Sequence, residues 1–258
     1  MEKLKLIAGP CLAESKEMLI QCVEHLLNIC SKYDNIDFYF KASYKKANRT
    51  SGGSFAGVGD NVALQWFDEI RKEYNVKMLT DIHSVEEVES VSKCVDVLQI
   101  PAFLCRQTEL LVAAAKTTRP VNIKKGQFTT PDAMKKAAEK VLATGNNNVW
   151  LTERGTFFGY SDLVVDFRSL IIMKEFGFPV IYDATHSVQK PSIGEQSGGN
   201  PQFIFPLAKA AISLCIDGIF FETHPEPKNA KSDSETQLPL SEAEKFIEMI
   251  LNMYNYNG

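Results

Sequence analysis

Residues 97–125 read VLQIPAFLCRQTELLVAAAKTTRPVNIKK. Short β-rich runs at 97–101 and 121–125 flank a helical pattern at 107–117. A strand, a helix and a second strand in so little chain make a βα unit whose strands run parallel. The same device recurs in both directions. Strands are expected at 4–8, 37–43, 77–82, 97–101, 121–125, 149–154, 179–185 and 218–224. Helices are expected at 15–30, 61–74, 85–93, 107–117, 131–144, 163–176, 203–215 and 241–254. Leu64, Phe67 and Ile70 form an apolar stripe at helical period in the second helix. Ser15 ahead of Met18 and Leu19 suits an N-cap, and Pro131 suits a first helical turn. The strands read as apolar and largely unalternating, as strands buried on both faces do.

Eight βα units with no linker between them predict one closed (β/α)8 barrel over 1–258; an open doubly wound sheet of fewer strands is the alternative. The length of 258 residues agrees, since roughly 200–250 is routine for a single barrel. The longest irregular stretches, 42–60, 186–202 and 223–240, each follow a strand, which places them at one end of the barrel.

The 28 Lys and Arg stand against 32 Asp and Glu, a net charge of −4. That balance speaks against nucleic-acid binding, which wants a basic face. No apolar run approaches the roughly 20 residues needed to span a bilayer. The six cysteines are not set in a short secreted frame, and the first twelve residues lack a leader pattern. A reduced, cytoplasmic protein without membrane contact is therefore expected.

Catalytic groups of a barrel come from the C-terminal ends of its strands. Read in order, those ends are Cys11, Lys41, Asp81, Gln99, Lys124, Arg154, Asp183 with His186, and Glu222 with His224. Lys41, Lys46, Arg49, Arg106, Lys124 and Arg154 lie on or just beyond four of them. Arg offers a planar fork and Lys a compact charge to phosphate or carboxylate, so a ligand with more than one anionic group is expected. Gly52-Gly53 and Gly198-Gly199, beside Ser197, could cradle a phosphate. Cys11, His186, Glu222 and Asp233 offer donors suited to Zn²⁺, Fe²⁺ or Mn²⁺, although their spacing follows no short metal motif. Cys22, Cys30, Cys94, Cys105 and Cys215 are read as packing thiols, His25 as a helix-surface residue and His83 as a loop residue near the site. No GxGxxG, Walker A or nucleophile-elbow pattern occurs.

Assembled, Ala8-Gly9-Pro10-Cys11, Lys41 through Lys46-Ala47-Asn48-Arg49-Thr50-Ser51, Gln99 through Gln107, Asn122-Ile123-Lys124-Lys125-Gly126-Gln127-Phe128, Leu151 through Gly155, Asp183 through Gln189 and Glu222-Thr223-His224-Pro225 resemble the 3-deoxy-D-manno-octulosonate 8-phosphate synthases. The related aromatic-pathway synthases carry Lys-Pro-Arg-Thr-Ser around the Asn48-Arg49 position, which favours a five-carbon sugar phosphate. The resemblance implies condensation of phosphoenolpyruvate with D-arabinose 5-phosphate and water, feeding lipopolysaccharide core synthesis. It implies that Lys41, Lys46, Gln99, Lys124 and Arg154 bind phosphoenolpyruvate, and that Asn48, Arg49, Thr50 and Ser197 hold the sugar phosphate. Phe103 and Arg106 would reach across from a neighbouring subunit of a homotetramer, and Asp81 would lie near the sugar hydroxyls. Cys11, Lys41, Asp81, Lys124 and His186 are the residues expected at the chemistry. Metal-independent members carry Asn where this chain has Cys11, so a divalent ion on Cys11, His186, Glu222 and Asp233 is implied. Thr50, Ala56 and Gly52-Gly53 depart from what many members carry. Two other readings stay open: a Schiff-base aldolase using Lys41 or Lys124, and a phosphosugar-binding protein without turnover.

Overall fold

Inward and outward side chains of the strands separate two kinds of core. The computed structural model describes residues 3–47, 56–160, 162–190 and 198–257. Eight parallel strands form the barrel: β1 (Leu4–Gly9), β2 (Ile36–Lys41), β3 (Lys77–Asp81), β4 (Val97–Ile100), β5 (Val121–Lys124), β6 (Val149–Glu153), β7 (Val180–Asp183) and β8 (Gly218–His224). Each pairs with the next, and β1 closes the ring on β8 with Leu6 opposite Ile219. The predicted closed barrel is the observed fold.

The helices are α1 (Lys16–Cys30), α2 (Asp60–Glu73), α3 (Val88–Cys94), α4 (Thr108–Lys116), α5 (Pro131–Leu142), α6 (Arg168–Lys174), α7 (Ile204–Ile212) and α8 (Ala243–Asn257). Ser15 caps α1, its hydroxyl accepting from the Met18 N–H at 3.1 Å. Outward strand residues such as Leu6, Phe40, Met78, Leu98, Ile123, Leu151 and Phe221 pack with helix residues such as Leu19, Phe67, Ile70, Leu111 and Phe246. Inside the barrel a separate plug of Ile7, Tyr39, Leu79, Val97, Trp150, Ile181 and Phe220 fills one layer. Lys77 lies over the Tyr39 ring at 4.9 Å and Lys5 over Trp150 at 5.7 Å.

Successive strand side chains alternate faces, so the inward residue following each plug residue lies one layer nearer the C-terminal mouth. Those positions are Lys41 after Tyr39, Asp81 after Leu79, Gln99 after Val97, Thr152 after Trp150, Asp183 after Ile181 and Glu222 after Phe220. The strands therefore do alternate on their inner face, against the unalternating expectation, with a polar layer above the apolar plug. Gly9 opens the close approach of β1 to β2: a Cβ there would lie 2.1 Å from the Lys41 carbonyl oxygen.

Most predicted boundaries shift by a residue or a few. The exception is the predicted helix at 163–176. Leu163–Val164 instead pairs antiparallel with Thr156–Phe157, and only Arg168–Lys174 is α-helical. β-branched Val164 and Val165 favour extended backbone, and the Asp166 carboxylate takes the Arg168 N–H at 3.0 Å, holding the helix start. The strand predicted at 179–185 stops at Asp183, where Oδ1 accepts from the N–H groups of Thr185 (3.2 Å) and His186 (2.9 Å). Among the cysteines, Cys22, Cys30 and Cys105 are buried, Cys94 is partly so, and Cys215 is exposed at φ +55° in the turn after α7. The packing role expected of Cys215 is thus incorrect. All six thiols are free.

Candidate active site

The polar layer gathers the strand-end groups into three clusters, and the lysines of the first two lie over the Phe220 ring. Lys41, Asp81, Gln99, Lys124, Arg154, Asp183 and Glu222 are all buried. Lys124 Nζ stands 3.7 Å above the Phe220 centroid and Lys41 Nζ 5.6 Å from it. Such desolvated cations gain from the ring's negative face.

The first cluster centres on Asp183. Its Oδ2 accepts from Lys124 Nζ and from His186 Nδ1 at 2.8 Å. Burial raises the cost of the charge, but His186 and Lys124 outweigh it and hold the Asp183 carboxyl well below the usual carboxylate range. Burial pulls the Lys124 ammonium below its ordinary value despite Asp183. With Nδ1 of His186 against Asp183, its Nε2 faces Glu222 Oε1 at 3.5 Å and Asp233 Oδ2 at 4.0 Å. A carboxylate behind the imidazole in this way sets the tautomer of a metal-binding histidine.

The second cluster joins β1, β8 and the loop after β8. The Cys11 thiol donates to Asp233 Oδ2 at 3.0 Å, and one donor atom each from Cys11, Glu222 and Asp233 lie within 4.8 Å of one another. Burial, with Asp233 and Glu222 nearby, pushes the Cys11 thiol well up, so it keeps its proton. Glu222 takes Lys41 as an ion-pair partner; burial opposes its charge, yet His186, Lys41 and Lys46 hold it down at about 2. Lys41 also donates to the Cys11 carbonyl at 3.2 Å. Asp233 occupies the left-handed region at φ +50°; its carbonyl accepts the Gln237 N–H at 3.2 Å, and Gln237 Oε1 in turn takes the Cys11 N–H at 3.0 Å. Sulfur, imidazole and two carboxylates are a donor set that fits a first-row divalent ion.

The third cluster runs across β6, β5, β4 and β3. Asp81 accepts from Gln99 Nε2 at 2.6 Å and from the Ser43 hydroxyl at 2.5 Å, and Lys46 Nζ donates to that Ser43 oxygen at 3.0 Å. Burial disfavours the Asp81 charge, but Lys41 and Lys46 keep its carboxyl far below its ordinary value. Lys46 is pushed up: burial works against its charge, and the carboxylates of Glu222, Asp81 and Asp233 outweigh it.

Arg154 follows β6. Nη2 donates to Gln189 Oε1 at 2.7 Å, while buried Nη1 has no partner among the described residues. An unpaired buried guanidinium N–H at a barrel mouth is a ready donor to an anion. Behind it, Glu153 accepts the N–H groups of Arg154 (3.0 Å) and Gly155 (2.7 Å), and faces Lys125 at 3.5 Å.

The structure thus brings together Cys11, Lys41, Lys46, Asp81, Gln99, Lys124, Arg154, His186, Glu222 and Asp233. Asn48, Arg49, Thr50, Gly52, Gly53 and Ser197 lie outside the described residues. Phe103 and Arg106 are exposed at the turn after β4 and join none of the three clusters. Gly199 packs against the Asp233 loop, since a Cβ there would meet Thr236 Cγ2 at 2.1 Å; its small size serves packing as well as any cradle. His83 is close to the site as expected, donating its N–H to Glu87 Oε2 at 2.9 Å. His25 is half-buried on α1 rather than a plain surface group. Sequence reading missed Asn122, Thr152, Glu153, Gln237 and the Phe220 floor. Counting back two residues from Lys124 and Arg154 would have found Asn122 and Thr152.

Residues 2–256 match the DAHP synthetase I family. The chain belongs to that family. A relative from Campylobacter jejuni serotype O:6, named 2-dehydro-3-deoxyphosphooctonate aldolase, is 49% identical over 99% of this chain and 98% of its own. Proteins of the same name from Koribacter versatilis and Trichlorobacter lovleyi are 52% and 49% identical, over 92% and 93% of this chain and 86% and 88% of theirs. Among the described residues no helix is long and apolar enough to cross a membrane.

Proposed function

We propose that this member of the DAHP synthetase I family condenses phosphoenolpyruvate with D-arabinose 5-phosphate and water, releasing 3-deoxy-D-manno-octulosonate 8-phosphate and inorganic phosphate for lipopolysaccharide core synthesis. The observation that carries this reading is the full-length match to proteins named for that octonate phosphate, together with buried cations converging over Phe220. It includes a divalent ion on Cys11, His186, Glu222 and Asp233, a cytoplasmic location and a homotetramer in which Phe103 and Arg106 reach a neighbour's site.

In this reaction C3 of the enol bonds to the sugar aldehyde carbon, water adds at C2, and the C2–oxygen bond to phosphate breaks. Lys41, Lys124 and Arg154 neutralise the carboxylate and phosphate of phosphoenolpyruvate, with Lys46 and Gln99 donating beside them. These donors are already aimed and desolvated, so little reorganisation accompanies charge build-up on phosphate. Holding the enol carbon against the aldehyde is largely positioning, which the rigid strand ends supply. Lys124, with its ammonium pulled down by burial, is the cation readiest to pass a proton from Nζ. Asp183 orients the His186 ring so that Nε2 faces Glu222 and Asp233, and Gln237 holds Cys11 in place. The metal, when bound, supplies Lewis-acid polarisation and lowers the pKa of bound water.

The test is inorganic phosphate release from phosphoenolpyruvate, with arabinose 5-phosphate present or absent, before and after chelation. Sugar-dependent release that chelation abolishes and Mn²⁺ or Zn²⁺ restores is expected. Full activity in rigorously metal-free protein would remove the metal, and a borohydride-trapped substrate adduct on Lys41 or Lys124 would replace the mechanism by a Schiff base.

A further inference from the structure

Asn122 and Thr152 face the barrel interior one strand apart, and both are completely buried. Neither touches the Lys41, Lys124 or Cys11 clusters through any described hydrogen bond. Their bonds run in one direction instead. The Thr152 hydroxyl donates to Asn122 Oδ1 at 2.7 Å, and Asn122 Nδ2 donates to Gln99 Oε1 at 2.9 Å. Gln99 Nε2 then donates to Asp81 Oδ1 at 2.6 Å. Strand register makes this possible, since Gln99 is opposite Asn122 across β4 and β5.

A carboxamide has two orientations that differ only in which end donates. Asp81 can only accept, so the chain is consistent when every donor points towards it. Reversing Gln99 would set its oxygen against a carboxylate and its NH₂ against that of Asn122. Thr152 completes the order by donating to Asn122 Oδ1, where a second amide donor would otherwise compete. At the other end Asp81 and Ser43 join the chain to Lys46. The line therefore spans from β6 to the lysine after β2.

We propose that Asn122 and Thr152 are positioning residues that fix the carboxamide of Gln99 with its NH₂ towards Asp81 and the barrel mouth. A donor there favours an anionic substrate, and a carbonyl oxygen there would repel it. The inference deepens the functional reading above and rests on Gln99 and Lys46 serving phosphoenolpyruvate.

The experiment compares Asn122→Asp, Thr152→Val and Thr152→Ser with the wild type. Asn122→Asp keeps shape but offers Gln99 only an acceptor, so Gln99 must turn over. KM for phosphoenolpyruvate should rise about tenfold to hundredfold, as for loss of a charge-assisted hydrogen bond, with kcat changed far less. Thr152→Val should raise KM in the same sense by a smaller factor, and Thr152→Ser should restore it. In a Gln99→Ala background Asn122→Asp should add nothing further, because its effect passes through Gln99. If Asn122→Asp does not fold, the Thr152 pair and the same Gln99→Ala background carry the test. An unchanged KM in Thr152→Val, failure of serine to rescue, or additive effects with Gln99→Ala would overturn the proposal. Should the wild type not consume phosphoenolpyruvate, the functional reading fails separately. The orientation is then read from exchange of the Gln99 side-chain amide protons by NMR: protection lost in Thr152→Val supports it, and equal exchange in both proteins overturns it.

Discussion

Replacing Asp183 by Asn probes the most heavily used carboxylate in the site. Oδ1 accepts two backbone N–H groups, so the new amide nitrogen must occupy the Oδ2 side. There it confronts Lys124 Nζ and His186 Nδ1, both donors to the wild-type oxygen. Lys124 becomes a buried ammonium without its ion-pair partner. His186 loses the carboxylate that orients its ring towards Glu222 and Asp233. Removing one partner of a buried ion pair typically costs about 3–5 kcal/mol. Retention of the Oδ1 bonds places Asp183→Asn near the lower end, about 3 kcal/mol. Urea unfolding of metal-free protein followed by circular dichroism should show the midpoint falling by roughly 1 M or more. Divalent-metal affinity should fall about tenfold to hundredfold, as when the carboxylate behind a ligating histidine is lost. A midpoint within experimental scatter of wild type, with unchanged metal affinity, would refute the central place given to Asp183.

Acid should weaken the metal-free fold in a defined window. Glu222 and Glu87 are both held at about 2, so their folded-state pKa values lie below the ordinary carboxylate value. Their contribution is complete above about pH 5 and is lost as pH falls towards 2; a urea midpoint equal at pH 6 and pH 3 would contradict this. Gly9→Ala would drive a Cβ to 2.1 Å from the Lys41 carbonyl and should destabilise the protein by about 3 kcal/mol, with a wild-type melting temperature as the contrary result. Ser15→Ala removes the α1 cap and should cost about 1 kcal/mol in the same unfolding assay without changing KM.

The βα alternation was legible because strand and helix periods differ and eight cycles leave little room for another closure. The strand-end groups were legible for the same reason: each closes an apolar run. What could not be read was which groups share a hydrogen bond. Asp183 and Lys124 are 59 positions apart and Cys11 and Asp233 222 apart, so only barrel closure brings them together. The segment 163–176 misled because Leu163–Val165 carries apolar residues that suit either a helix face or a hairpin. The inward period of two was obscured by the apolar plug, whose residues precede each polar end and make the strand look uniformly buried. Asn122 and Thr152 went unnoticed because polar residues inside a strand are informative only once the inward face is known.

The most direct measurement follows phosphoenolpyruvate labelled with ¹³C at C2 by NMR, with arabinose 5-phosphate and erythrose 4-phosphate in parallel. Only the five-carbon sugar phosphate should move the label into the hemiketal carbon of an eight-carbon keto sugar phosphate, with one inorganic phosphate released per molecule. Label unchanged with arabinose 5-phosphate, or transferred to a seven-carbon product from erythrose 4-phosphate, would contradict it.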